Sequence, residues 1–315
     1  MLDQLFDVEV AKRTDLTDEL FIVEVRAVEG DLPMWQPGAH IDVEVGDATL
    51  RQYSLAGSFQ DQNTWVLGVR REVDGRGGSA WIHANATVGN RLRVSAPRNH
   101  FAYQPSNEPV VFVAGGIGVT PLVPMVYAAA AAGRPWQLHF VASSKQNMPF
   151  LNELEGLGGE VTTYARDVTG RPDVAEIIAQ MPAGSAIYCC GPEALMQSVE
   201  DEAKKNPAIE AFVERFVPKE QTGDAGLDNF EVNFAYSQIV ATVGPDQSIL
   251  EVARASGIEV VSSCQEGTCG SCETPIISGT PVHRDSVLSE KERIASTCMM
   301  ICVSRSCTAT LELDL

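Results

Sequence analysis

Four cysteines near the C-terminal end of the 315-residue chain have the type and spacing of iron–sulfur ligands. Cys264, Cys269 and Cys272 form a C-x4-C-x2-C pattern, and Cys302 follows after a 29-residue gap. This is the spacing of the plant-type [2Fe–2S] cluster, in which soft thiolates hold the two irons. The pattern predicts such a cluster, with three ligands from one bent loop and the fourth from elsewhere in the fold.

Other uses of these cysteines fit the sequence less well. A structural zinc site prefers paired C-x2-C units, and this stretch has one such unit. A disulfide framework belongs to small secreted domains, and residues 1–7 show neither the basic region nor the cleavage site of an export signal. Gly267 and Gly270 suit a cluster loop, because its backbone angles are poorly tolerated by residues with a Cβ. No role is predicted for Cys298 and Cys307.

Composition and charge restrict the class of protein. The chain is 44% hydrophobic with a mean hydropathy of −0.03, and no apolar run reaches the ~18 residues of a membrane span. The formal net charge of −19 argues against binding to nucleic acid or to anionic membranes. The acidic charge is compatible with binding to a partner that has a basic patch, and it is equally compatible with a role in solubility alone. Thiolate ligands and the missing export signal predict a cytoplasmic location.

The N-terminal third is rich in predicted strands. Residues 21–28 and 39–45 alternate apolar and polar side chains, which is the period of half-buried strands. Glycine and proline punctuate these segments. Short strands at this spacing predict a small antiparallel barrel over residues 1–105.

Two motifs in the predicted barrel carry groups suited to a phosphate. Within Arg51-Gln52-Tyr53-Ser54, strand geometry puts Arg51 and Tyr53 on one face and Gln52 and Ser54 on the other. Residues 75–78 form a glycine-rich turn before a predicted helix, and such a junction offers free N–H groups and the positive end of a helix dipole. Taken alone, the first motif is a weak signal, because an exposed Arg beside a strand Tyr is common, and the second motif is better explained as a simple capped turn.

The middle of the chain changes to alternating strands and helices. Residues 110–114 form an apolar run of the buried, parallel-sheet type, and the glycine-rich residues 115–121 follow directly. An Ala-rich helix is predicted next, with Thr120 as its N-cap, Pro121 at its first position and Gly133 as its stop. A strand, a glycine turn and a helix N-terminus in this order can bind a pyrophosphate.

The alternation continues to about residue 216. Further strands are predicted at 137–142, 161–164 and 186–190, and helices at 148–157, 173–180 and 193–204. This order indicates a parallel α/β sheet. Cys190-Gly191-Pro192 ends a strand at its carboxyl edge, where ligands bind in such sheets.

The sequence from residue 218 to residue 315 predicts a linker followed by a small domain. Residues 218–228 are polar, contain glycine and lack a period, which predicts a linker. The module that follows holds the cluster loop. Its other predicted elements are a hairpin at 230–234 and 238–243, a helix at 249–256 and a closing strand at 311–315.

The order of these motifs resembles the phthalate dioxygenase reductase family, within the ferredoxin–NADP⁺ reductase-like flavoproteins. A barrel with R-x-Y-S comes first, an α/β region with G-G-x-G-x-T-P and C-G-P second, and a plant-type ferredoxin last. The resemblance covers essentially the whole chain. It implies an FMN-binding antiparallel β-barrel domain at 1–105, a NAD-binding parallel α/β domain at 106–217, a linker at 218–228 and a [2Fe–2S] ferredoxin domain of the β-grasp, α+β type at 229–315.

The resemblance also implies a flavin site. Arg51 pairs with the FMN phosphate, helped by the turn Gly77-Gly78-Ser79. Tyr53 and Ser54 lie against the isoalloxazine ring, Ser54 near its reactive N5 edge, and Gln52 belongs to the same binding segment.

A nicotinamide site is implied in the same way. The dinucleotide is held by Gly115, Gly116, Gly118 and Thr120, and the nicotinamide ring lies beside Cys190, Gly191 and Pro192. Phe216 closes the flavin face. Ser54, Cys190 and Phe216 are therefore the residues expected beside the reacting atoms.

The implied function is electron transfer. NADH gives two electrons as a hydride and a cluster takes one, and FMN handles both. The implied acceptor is a separate oxygenase component of the Rieske non-haem iron type, which acts on a small organic substrate and docks near the cluster. The alternatives are service to a cytochrome P450, free flavin or ferric reductase activity, and, in another class, a redox-sensing interaction protein.

Two smaller expectations concern nucleotide choice and the histidines. A 2′-phosphate is best held by a bidentate arginine, and the segment after the second nucleotide-domain strand offers Ser143, Ser144 and Lys145 instead. NADH is therefore expected to be preferred over NADPH. The five histidines are scattered along the chain and are interpreted as structural.

Overall fold

The computed structural model describes residues 5–47, 49–72, 75–166, 168, 170–219 and 226–315. These residues form two compact units, one ending at Glu214 and the other spanning Arg215–Leu315. The first unit contains both the barrel and the α/β sheet. No helix in the described ranges is long and apolar enough to cross a membrane.

A six-stranded antiparallel barrel begins the first unit. Its strand order is β4-β3-β6-β1-β2-β5, and a bridge between Leu55 and Leu67 joins the two edges of the sheet. Phe21, Ile41 and Trp65 are fully buried in its core. The strands are β1 (Phe6–Asp15), β2 (Leu20–Ala27), β3 (His40–Val45), β4 (Thr49–Ser54), β5 (Trp65–Arg70) and β6 (Arg91–Val94), and helix α1 (Gly78–Asn85) lies between β5 and β6.

A five-stranded parallel sheet completes the first unit, in the order β11-β10-β7-β8-β9. Its strands are β7 (Val110–Gly115), β8 (Trp136–Ala142), β9 (Glu160–Ala165), β10 (Ala186–Cys190) and β11 (Glu210–Glu214). Its helices are α2 (Val123–Ala131), α3 (Leu151–Glu155), α4 (Val174–Gln180) and α5 (Glu193–Lys205). The sequence did not predict β11, whose side chains are half-buried or exposed and lack a clear apolar pattern.

The start of α2 differs from the sequence prediction. Residues Gly116–Val119 form a 3₁₀ turn, and the helix begins at Val123 rather than after Thr120. Thr120 does not cap it, because its hydroxyl donates back to the carbonyl of Ile117 at 2.9 Å. Gly133, with a φ of +66°, lies just past the end of the helix as predicted.

Helix α3 is shorter than the predicted 148–157. Phe150 has a φ of +63°, and this left-handed backbone prevents the helix from extending toward residue 148. The helix therefore covers Leu151–Glu155 only.

The second unit is a small α+β fold of the predicted type. Its main sheet runs β13-β12-β18-β14-β16, with β12 and β18 parallel, and β15 pairs with β17. A capping box of Ser248 and Glu251 begins α6. The elements are β12 (Phe230–Phe234), β13 (Ile239–Val243), α6 (Ile249–Ala255), β14 (Glu273–Ser278), β15 (Pro281–Val282), α7 (Glu290–Ala295), β16 (Cys298–Met300), β17 (Arg305–Ser306) and β18 (Thr310–Leu313).

The predicted linker lies partly outside the described residues, at positions 220–225. Its C-terminal end is bound to the second unit. The N–H of Leu227 donates to the carbonyl of Ser306 at 2.9 Å. The guanidinium of Arg305 donates to the carbonyls of Leu227 and Asp228. The domain boundaries inferred from the sequence stay predictions.

Candidate functional site

The end of β4 and the start of α1 bring the two predicted phosphate motifs together. A Cβ added at Gly78 would lie 2.6 Å from Cγ and 2.8 Å from Nε of Arg51, so the arginine side chain packs directly on the glycine. Gly77, with a φ of +83°, turns the chain into the helix. A guanidinium beside a helix N-terminus suits an anion. The hydroxyl of Ser79 accepts the N–H of Glu72 at 3.0 Å and so holds the turn.

The rest of the strand motif fits a polar aromatic ligand. Nε2 of Gln52 is buried and has no hydrogen-bond partner among the described residues, so a bound ring with oxygen or nitrogen acceptors would satisfy it. Ser54 is buried and lies opposite His40 in the β3–β4 pair. Burial raises the pKa of Tyr53 to about 12, and its phenol is therefore neutral at pH 7.

The glycine loop after β7 packs on the end of β10. A Cβ at Gly115 would overlap Pro192, and one at Gly118 would overlap the carbonyl of Cys190. Gly191 approaches equally closely, because its Cβ would lie 2.7 Å from Cα of Gly115. The two predicted nucleotide motifs thus form one surface that only glycine permits.

Thr120 connects this loop to the barrel. A Cβ at Gly68 of β5 would lie 2.6 Å from the Thr120 methyl group. The threonine therefore packs between the sheet and the barrel, and its predicted part in nucleotide binding stays a prediction.

A cavity of about 370 Å³ begins at the glycine loop. Gly115, Gly116 and Pro192 line one part of it, and Arg166 and Arg171 line another. The N–H of Arg166 is fixed by the carbonyl of Ala142 at 3.0 Å, which places the residue just beyond the carboxyl ends of β8 and β9. The sequence analysis did not single out Arg171. Its position in the segment that follows the parallel strand β9 could have indicated that it lies near the ligand-binding edge of the sheet.

Glu214 is a second residue that sequence reasoning missed. It ends β11, directly opposite Cys190 of β10. The residue as a whole is half-buried, but its Oε2 is enclosed and has no hydrogen-bond partner in the described part of the chain. Burial raises the pKa of this carboxyl to about 8, so it carries a proton at neutral pH. The sequence analysis missed Glu214 because it did not predict β11, the strand that places Glu214 opposite Cys190.

Phe216 belongs to the second unit, where it is 46% exposed. Its predicted position over a flavin stays a prediction.

The loop between α6 and β14 holds three of the predicted cluster ligands. The N–H groups of Glu266 and Thr268 point at Sγ of Cys264, at 3.3 and 3.4 Å, and that of Ser271 points at Sγ of Cys269 at 3.4 Å. Such donors stabilise thiolates.

Gly267 allows the loop to close. Its φ is +71°, and an added Cβ would lie 2.6 Å from Val303 and 2.9 Å from Cα of Asp285. The loop is therefore packed against the segment that carries the fourth ligand, Cys302.

The four predicted ligands form one network of thiols. Hydrogen bonds with Cys269 and Cys302 lower the pKa of Cys264, and a hydrogen bond with Cys302 lowers that of Cys272. Cys269, Cys272 and Cys302 are buried, and Cys264 is part exposed. No group of three or more His, Cys, Asp or Glu side chains in the described ranges is arranged to hold a single metal ion.

The remaining C-terminal cysteines do not belong to this network. Cys298 lies on β16 opposite Pro275, and burial raises its pKa to about 11. Cys307 is exposed. The chemistry and position of the thiols therefore fit a [2Fe–2S] cluster held by the four cysteines of the sequence pattern.

Comparisons with known proteins agree with these sites. The 2Fe-2S iron-sulfur cluster binding domain family matches residues 233–309. The chain is 41% identical to the phenoxybenzoate dioxygenase subunit beta of Ectopseudomonas oleovorans, over 95% of this chain and 93% of that protein.

Two solved structures are also similar. Phthalate dioxygenase reductase, described as a modular structure for electron transfer from pyridine nucleotides to [2Fe–2S], is 31% identical with a TM-score of 0.69, over 99% of this chain and 98% of that one. An intact type IV self-sufficient cytochrome P450 monooxygenase is 36% identical with a TM-score of 0.90, and the matched region spans 41% of that longer chain.

The resemblance seen in the sequence is thereby confirmed, and so are the multidomain fold and the [2Fe–2S] cluster-binding domain. The chain belongs to the phthalate dioxygenase reductase family and is an oxidoreductase that carries electrons through a flavin and a [2Fe–2S] cluster to an oxygenase component.

Proposed function

We propose that this reductase serves a Rieske non-haem iron oxygenase, and that the acceptor docks on the second unit beside the cluster loop. The observation that carries the proposal is the combination, in one chain, of the packed Arg51–Gly78 motif, the glycine loop on Cys190 and the four-cysteine network. Together they provide an entry for a nucleotide, a site for a flavin and an exit through a cluster.

In the flavin site, we assign the phosphate to Arg51 and the turn Gly77–Ser79. The unpartnered amide of Gln52 donates to the ring, and Ser54 lies at the ring edge. A flavin held by these residues would supply the chemistry that links a two-electron donor to a one-electron cluster. The neutral phenol of Tyr53 adds no charge to the site.

In the nucleotide site, the loop of Gly115, Gly116 and Gly118 holds the pyrophosphate. Cys190 and the following Gly191-Pro192 turn position the nicotinamide. The cavity beyond them, lined in part by Arg166 and Arg171, gives the adenosine end a place.

Electron exit requires a cluster close to the surface. Cys264 is the part-exposed member of the thiol network, which supports an exit near it. Residues 229–315 carry eleven acidic and five basic side chains, a net charge of −6. Glu266 and Glu273, in and beside the cluster loop, are placed to attract a basic surface of the acceptor.

A cytochrome P450 is the second candidate acceptor, favoured by the high similarity to part of a self-sufficient P450. The two acceptors are distinguished by mixing the NADH-reduced protein with a purified Rieske oxygenase or a P450 and following cluster reoxidation. A Rieske acceptor predicts rapid reoxidation by the oxygenase and slow reoxidation by the P450. The reverse order would overturn the proposal, and no transfer to either would favour the redox-sensor reading.

The docking surface is tested by salt. Electrostatic attraction predicts a transfer rate that falls as ionic strength rises from ~0.01 to ~0.15 M, because the Debye length shrinks from ~30 to ~8 Å. Glu266→Gln and Glu273→Gln should each flatten this dependence, and Glu155→Gln, an exposed change in the first unit, should not. Equal salt profiles for all four proteins would remove the proposed docking surface and leave the reductase assignment intact.

A further inference from the structure

A buried group of titratable side chains lies beside the cluster loop and has no part in the sites described above. The side chain of Asp285 is fully buried and that of His283 is 8% exposed. Nδ1 of His283 lies 3.9 Å from Oδ2 of Asp285. Arg293 of α7 approaches Oδ1 of the same carboxylate at 3.3 Å and also donates to the backbone carbonyls of His283 and Asp285.

This group is in direct contact with the backbone that surrounds the cluster ligands. The N–H of Ser286 donates to the carbonyl of Gly267 in the cluster loop at 2.7 Å. On the other side, the N–H of Arg284 donates to Oγ of Ser304 at 3.3 Å, two residues after Cys302. His283 is thus held between the loop that carries three ligands and the segment that carries the fourth.

The carboxylate of Asp285 is held by several contacts on one of its two oxygens. Its Oδ1 accepts the N–H groups of Val287 and Leu288, at 3.0 and 2.8 Å, in addition to Arg293. Its Oδ2 has no hydrogen-bond partner among the described residues and faces the imidazole.

The imidazole is the unsatisfied part of the group. Neither Nδ1 nor Nε2 of His283 has a hydrogen-bond partner in the described ranges. A buried imidazole normally donates one N–H and accepts at the other nitrogen, so two unused nitrogens leave capacity for a proton.

The charges around His283 oppose one another. Burial lowers its pKa most, Asp285 raises it, the charge of Arg293 lowers it and the backbone of Arg293 raises it, with a net shift below the ordinary value. Arg305, on the strand paired with β15, donates to the carbonyls of Gln247 and Gly244. Arg284 is the neighbouring residue in the chain. The net shift favours the neutral imidazole, and an added negative charge nearby would favour its protonation.

We propose that His283 takes up a proton from solvent when an electron enters the cluster, so that reduction of the cluster is coupled to protonation of this imidazole. One electron arrives from the flavin and one proton from water, and both leave again when the oxygenase is reduced. Asp285 stabilises the imidazolium through Oδ2. His283 does not ligate the cluster, and its protonation changes the reduction potential of the cluster. The inference rests on the cluster ligands assigned above.

The test is the midpoint potential of the cluster as a function of pH, measured on the full-length holoprotein by spectroscopic redox titration between pH 5 and 9. Coupling predicts a potential that rises as the pH falls, with a limiting slope of one proton per electron, about 59 mV for each tenfold change in proton concentration. A potential of the parent protein that is flat over this range would overturn the proposal without any variant.

Three variants locate the proton. His283→Gln should give a flat potential, and Asp285→Asn should move the rise to lower pH because the imidazolium loses its counter-charge. His139→Gln, which removes a histidine of the first unit, should keep the parent slope. A parent-like slope in His283→Gln would overturn the assignment. The visible cluster spectrum and NADH-driven reduction at pH 8 separately check the ligand set and the reductase function.

Discussion

Replacing Glu214 by glutamine tests whether this carboxyl is protonated in the folded protein. Glutamine has the same shape and cannot ionise. In the parent, the folded state keeps the proton up to a pKa of about 8, compared with an ordinary value of 4.5. The folded chain therefore binds more protons than the unfolded chain between these pH values, and its free energy of unfolding falls as pH rises.

The size of the effect follows from the shift. Each pH unit between the two pKa values costs the parent about 1.36 kcal/mol relative to a residue that cannot ionise. Between pH 5.5 and 7.5, the free energy of unfolding of Glu214→Gln should therefore gain roughly 2–3 kcal/mol over that of the parent. Well below pH 4.5 the two proteins should differ by a constant amount, because Glu214 is then protonated in both the folded and the unfolded state.

Tryptophan fluorescence makes the measurement specific to the first unit, because all four tryptophans lie within it, at positions 35, 65, 81 and 136. Urea unfolding of the flavin-free protein would be followed at pH 5.5, 6.5 and 7.5. The exposed residue Glu155 supplies the matched control, and Glu155→Gln should show no growing advantage. Parallel curves for parent and Glu214→Gln would refute the reasoning and mean that the buried carboxyl is ionised.

Three further predictions concern the cofactor sites. Cys302→Ala should abolish the visible spectrum of the cluster while Cys307→Ala keeps it, and the opposite result would reassign the fourth ligand. Arg51→Ala should weaken flavin binding by about one to two decades, since a charge-assisted phosphate contact contributes roughly 1.5–3 kcal/mol, and flavin retained on dilution would contradict this. The parent should have a higher kcat/KM with NADH than with NADPH. Arg166→Ala should lower kcat/KM for NADPH more than kcat/KM for NADH. Equal values of kcat/KM for the two nucleotides in the parent would contradict the preference.

The cluster ligands and glycine turns could be recognised from the sequence because their requirements are local. A loop that supplies Cys264, Cys269 and Cys272 to one cluster fixes their spacing, and the backbone angle at Gly267 excludes residues with a Cβ. The strand, turn and helix order around Gly115 was visible for the same reason. The start of α2 nevertheless differed from the prediction, because the Thr120 hydroxyl donates to the carbonyl of Ile117 instead of capping the helix.

Glu214, Arg171 and His283 show what the sequence could not decide. Each is an ordinary residue in its own segment, and its chemistry comes from neighbours that are distant in the chain. The pKa of Glu214 is raised because one carboxyl oxygen is enclosed where β11 pairs with β10. His283 is buried beside Asp285, and its neighbours Arg284 and Ser286 are bonded to the segment after Cys302 and to the cluster loop. Spacing along the chain determines which atoms can ligate a cluster, whereas burial and charge depend on contacts that only the folded protein makes.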